Sequence, residues 1–74
     1  MRSNWPYTGR EYAVRVNLRS GDGRRPRVVL RVWAYSGISA EANARRLVRG
    51  MYAHDKALCS APMEIAWYPL KEGE

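Results

Sequence analysis

From Glu11 to Arg19 apolar and polar side chains alternate without a break. Tyr12, Val14, Val16 and Leu18 fall on one side of an extended segment, and Ala13, Arg15, Asn17 and Arg19 on the other. Successive side chains of a strand point to opposite faces, so the pattern predicts a strand with one face buried and one solvated. The alternation returns from Arg27 to Tyr35, with Val28, Leu30, Val32 and Ala34 inward and Arg31, Trp33 and Tyr35 outward. Between the two lies Ser20-Gly21-Asp22-Gly23, where Asp22-Gly23 supplies the positive φ that a reversing connection needs. The two segments are expected to form an antiparallel hairpin.

From Ser36 to Asp55 the period changes from two to 3.6, and Ala40, Ala44, Leu47, Val48 and Met51 fall on one stripe. This predicts a helix with Ser39 as its N-cap, Glu41 in the first turn near the positive end of the dipole, and His54 in the last turn. Glu41 stands four residues before Arg45, the spacing of a helix-surface ion pair. A loop from Asp55 to Pro62 leads to "MEIAWYP", a short strand with Met63, Ile65 and Trp67 inward and Glu64, Ala66 and Tyr68 outward, stopped by Pro69.

The fold class that follows is α+β: a small antiparallel three-stranded sheet in the order β-β-α-β, with one helix packed on one face. Placing the last strand beside the first, in spatial order 2-1-3, keeps all pairs antiparallel and the connections short. Residues 11–70 make the single domain that 74 residues can support. Residues 1–10 are an N-terminal tail or loop containing Trp5 and Tyr7, and residues 71–74 are a polar C-terminal tail.

Charge narrows the choice of partner. Thirteen Lys and Arg against seven Asp and Glu give a formal net charge of +6, which suits nucleic acid, the acidic surface of another protein or an anionic membrane, and is also compatible with a merely soluble surface. No apolar run resembles a signal-peptide core or approaches a membrane span, so a cytoplasmic chain with no membrane partner is expected. Cys59 is the only cysteine, which excludes an internal disulfide and fits a reducing interior.

Catalytic chemistry finds little to stand on. His54 and Asp55 are adjacent, but no nucleophile or second acid is specified beside them, and Cys59 has no evident activating histidine. "SGDGRR" lacks the spacing and the Lys-Ser/Thr of a phosphate loop. The chain is therefore expected to be no enzyme and to use no cofactor and no metal. Its candidate contacts are the outward residues of the sheet, Arg15, Asn17, Arg31, Trp33, Tyr35 and Tyr68, where arginines alternate with aromatics. Such a face stacks bases and neutralises phosphates, and equally anchors a protein interface. A third role for it is as a second small core under Trp5 and Tyr7. The outer face of the helix offers Arg45, Arg46 and Arg49, which together with Arg24, Arg25 and Arg27 make a second candidate anion-binding surface.

The small size, the hairpin-helix-strand order from Glu11 to Tyr68 and the lack of catalytic residues resemble the anti-CRISPR proteins that phages and other mobile elements direct against type I CRISPR systems. That resemblance implies a stoichiometric inhibitor, acting in the host cytoplasm, that binds a CRISPR effector complex or its nuclease and blocks DNA recognition or cleavage. The same element order is similar to small RNA-associated domains, including some ribosomal proteins, and implies in that case an Arg/aromatic face that holds RNA or DNA. The open edges of a three-stranded sheet leave the chain a monomer or an edge-paired dimer. Core truncations at Val32 or Leu47 are expected to destabilise it.

Overall fold

Tyr12, Val14, Val16 and Leu18, the even-numbered side of the first alternating segment, are all buried, three of them almost completely. They belong to the central strand of the sheet. The computed structural model describes residues 9–70 as β1 (Arg10–Leu18), β2 (Arg27–Ala34), α1 (Gly37–Met51), α2 (Lys56–Cys59) and β3 (Met63–Pro69). The sheet is antiparallel throughout in the order β2-β1-β3, with α1 on one face: a small α+β fold. Trp5, Tyr7 and the C-terminal tail lie outside the described residues.

β1 divides its hydrogen bonds by parity. Leu18 N–H donates to Pro26 O (3.0 Å), whereas Arg19 N–H donates to Pro62 O (3.3 Å) and Leu70 N–H to Glu11 O (2.9 Å). In antiparallel pairing alternate residues turn their main-chain groups to opposite sides, so even residues of β1 bond β2 and odd residues bond β3. At the β1–β2 turn, Gly23 N–H donates to Ser20 O (3.1 Å) and Ser20 N–H to Arg24 O (2.9 Å), with Gly23 at φ 93, where a side chain would be strained.

α1 starts three residues earlier than the sequence predicts. Ser36, in extended backbone conformation, is the N-cap, and its Oγ accepts from Ser39 N–H at 3.1 Å. Ser39 is thus the donor at the third helical position rather than the cap, and Glu41 falls beyond the first turn. The Glu41–Arg45 pair does form, at 3.3 Å. The helix stops at Met51, just after Gly50, a poor helix former. His54 consequently sits exposed in the turn beyond α1. The expected loop from Asp55 to Pro62 holds α2, which Asp55 caps by accepting from Leu58 N–H (3.1 Å).

The buried stripe of α1 is Gly37, Ala40, Ala44 and Val48. Leu47 and Met51, expected in the core, are instead 52% and 57% exposed. The stripe is narrow because its small residues seat the helix close to a sheet three strands wide, about 10 Å between the outer strand axes, so shoulder residues overhang it. Ala40, Ala44 and Val48 close over Val14, Val16, Leu18, Val28, Val32 and Ala34, with Leu30, Tyr52, Met63 and Ile65 half-buried around them. Trp67 also faces the helix layer. Its ring meets Tyr12 edge-on (centroids 5.8 Å apart, planes at 82°) and occupies the space a Cβ on Gly37 would need.

These positions separate core from overhang. Leu18→Ala should cost about 2–5 kcal/mol in urea unfolding, whereas Leu47→Ala should fall within about 0.5 kcal/mol of the parent. Gly37→Ala should destabilise, because the ring of Trp67 must give way.

Candidate functional site

The face of the sheet opposite α1 has no covering element among the described residues. Strand register arranges it in rows. Glu11 stands opposite Trp33; Arg31, Ala13 and Tyr68 make the next row; Val29, Arg15 and Ala66 the one after; and Arg27, Asn17 and Glu64 the last. Alternation therefore brings five of the expected contacts, Arg15, Asn17, Arg31, Trp33 and Tyr68, onto one surface, with Tyr35 exposed just past the end of β2.

Trp33 is 66% exposed, and one edge of its indole lies over Gly9, where any Cβ would collide with Nε1. Arg15, on the central strand between Val29 and Ala66, is half-buried, and its Nε has no hydrogen-bond partner among the described residues. The apolar floor of the face is Val29, Ala13 and Ala66; the alternation places both alanines outward, and Val29 is the residue the sequence reading leaves out. The signal was available in Val28-Val29-Leu30, three successive apolar residues in a strand that otherwise alternates.

Carboxylates punctuate the same surface. Glu11 pairs with Arg31 at 3.7 Å, Glu64 pairs with Arg19 at 3.6 Å, and Arg27 Nε donates to Asn17 Oδ1 at 3.0 Å. The face is thus mixed in sign and rich in aromatic surface.

The helix arginines of the second candidate surface lie on the other layer. Arg45 bonds Glu41, Arg46 donates to Asn43 Oδ1 (3.2 Å), and Arg49 donates to the carbonyl of Cys59. They do not join the open face. Arg24 is drawn into a clamp of its own: its guanidinium holds Asp55 through two bonds of 2.6 and 3.0 Å and Asp22 at 2.7 Å. The hairpin turn is thereby tied to the N-terminus of α2. Arg24, Arg27, Arg45, Arg46 and Arg49 each engage a local oxygen, and Arg27 lies on the open face of the sheet whereas Arg45, Arg46 and Arg49 lie on the helix.

Among the described residues no group of three or more His, Cys, Asp or Glu is placed to hold a metal ion, and no helix is long and apolar enough to cross a membrane. Cys59 is half-buried at the end of α2. Compared with known proteins, the chain matches no family model, no curated protein and no solved structure.

The clamp makes acid stability a readout of this corner. Hydrogen bonds from Arg24 hold both Asp22 and Asp55 below the usual carboxylate range, and Leu58 N–H adds to the effect at Asp55. A carboxylate whose pKa is lower folded than unfolded stabilises the fold above its unfolded pKa of about 3.9, and that stabilisation is lost as pH falls through the folded value. Thermal stability should therefore fall progressively below about pH 4. Asp55→Asn, which keeps an oxygen to cap α2 but loses the charge, should flatten that pH dependence.

Proposed function

We propose that this chain is a non-catalytic binding protein that docks a partner protein against the open face of its sheet. The observation that carries the reading is the exposure of Trp33, Tyr68 and Val29 beside Arg15 and Arg31 on a face with no covering element among the described residues. Exposing this much aromatic surface in one place is unusual for a small domain without a partner, and Trp, Tyr and Arg are the residues that most often anchor interfaces.

The mixed sign of the face favours protein over nucleic acid. Glu64 shares a row with Arg27, and Glu11, opposite Trp33, pairs with Arg31 from the next row, so a phosphate backbone tracking across the face would meet carboxylates as well as guanidiniums. A protein surface with an apolar patch and charges of both signs meets them in kind. In the form that the architectural resemblance gives this reading, the partner is a type I CRISPR effector complex or its nuclease. The chain then acts in the cytoplasm of the host as a stoichiometric inhibitor of DNA recognition or cleavage. The net charge of +6 is the observation behind the second reading, an RNA or DNA binder using the same face.

Calorimetric titration into a purified type I effector complex, and separately into single-stranded and duplex oligonucleotides, tests both readings. Saturable binding to the effector at a fixed stoichiometry is expected, and Trp33→Ala with Arg31→Ala should weaken it by about 2 kcal/mol or more, with an unchanged circular dichroism spectrum. No binding to the effector would remove that partner. Tight oligonucleotide binding, with log K falling about 3–4 units per decade of salt for about four phosphate contacts, would replace the protein reading with the nucleic-acid one.

A further inference from the structure

β2 is an edge strand with no neighbour on its outer side among the described residues. Because the pair of Leu18 and Pro26 is a hydrogen-bonded one, the even residues of β2 turn their main-chain groups toward β1. The odd residues, Arg27, Val29, Arg31 and Trp33, turn theirs outward. The opposite edge is treated differently. By the same parity the odd residues of β3 point outward, and the last of them is Pro69, which has no N–H to offer. β2 carries no proline from Arg27 to Ala34, and its register with β1 runs without a bulge. Proline and bulges are among the devices that keep an edge from pairing, and β2 lacks both.

The sequence of that edge fits itself in one register. A second copy added antiparallel, outward groups against outward groups, places a two-fold axis on one residue of β2. With the axis at Val29, each Arg27 faces Arg31 of the second copy; with the axis at Arg31, Arg31 faces itself. With the axis at Leu30, Arg27 faces Trp33 and Val29 faces Arg31 on the open side, while Val28 faces Val32 and Leu30 faces Leu30 on the helix side. No two arginines are then opposed, the strands overlap from Arg27 to Trp33, and each guanidinium meets an aromatic or aliphatic side chain. An axis at Val32 also separates the arginines but shortens the overlap. Exposure agrees: Val29 is 64% exposed, and Leu30 is only half-buried although it points toward the helix layer. The pairing uses the main chain of Arg31 and keeps its ion pair with Glu11.

We propose that the chain forms a two-fold dimer by antiparallel pairing of β2 with β2 of a second copy, Leu30 lying on the axis. The product is one continuous sheet with both helices on one side and both open faces on the other.

The test is a disulfide scan in the full chain carrying Cys59→Ala. Leu30 on the axis is a non-hydrogen-bonded opposed pair, whose Cα atoms lie about 4.5 Å apart, within disulfide range. Leu30→Cys should oxidise to a covalent dimer of twice the 8.5 kDa chain mass, while Val29→Cys and Val32→Cys should form no covalent dimer in the same oxidant. Sedimentation of the unmodified chain should give a dimer. Val29→Pro should give a monomer with unchanged circular dichroism, since that N–H is not used by β1. A monomer for the unmodified chain at its highest soluble concentration, or preferential cross-linking at Val29 or Val32, would overturn the proposal. Either result would leave the open-face reading standing, because that is tested through the Trp33 and Arg31 side chains and the effector.

Discussion

The close approach of α1 to β1 is the constraint on which the rest of the structure depends. Val14, Val16 and Leu18 can be fully buried only because Gly37, Ala40 and Ala44 let the helix axis come down onto the central strand. A sheet of three strands has no second layer from which to draw more core. What lies beyond that one helix is mostly left at the boundary: Leu47 and Met51 overhang, Leu30 and Ile65 are half-covered, and the face of the sheet opposite the helix has no covering element among the described residues.

That geometry explains how the arginines are spent. On the helix layer Arg45, Arg46 and Arg49 each satisfy a nearby oxygen, and Arg24 ties two turns together at the end of the sheet. These are structural uses of charge on a partly exposed surface, individually worth little. Arg15 differs. It occupies the middle of the central strand on the open face, and its Nε is enclosed with no oxygen to receive its proton among the described residues. The net charge read from composition therefore overstates how much of the basic surface is available to a partner.

The strands, their faces and their spatial order were legible in the sequence because period-two alternation over eight or nine residues fixes a face, and antiparallel geometry then restricts where the last strand can go. Helix ends were not. Ser36 and Ser39 are both acceptable caps, and choosing between them depends on the backbone conformation at the end of β2, which composition does not reveal. The width of the buried stripe was equally hidden, since Leu47 and Met51 satisfy helical periodicity and fail only when the width of the sheet beneath is known. α2 was too short to show a period, and its one local signal was Asp55, an acceptable N-cap. The candidate contacts on the strands came out together because alternation decides sidedness. Those on the helix fell on the other layer because the helix covers the opposite side.

The division of hydrogen bonds along β1 reaches into how the chain is made. Its even residues are satisfied by the strand that follows at once, but its odd residues wait for β3, at the far end of the described chain. A nascent chain that has reached only Ala34 has a hairpin with a greasy face and half its central strand unbonded. One that has reached Met51 has the helix but still lacks the partner for the other half. The second ladder of β1 therefore closes only once β3 is present, and until then the strand that will lie at the centre of the sheet is one of its edges.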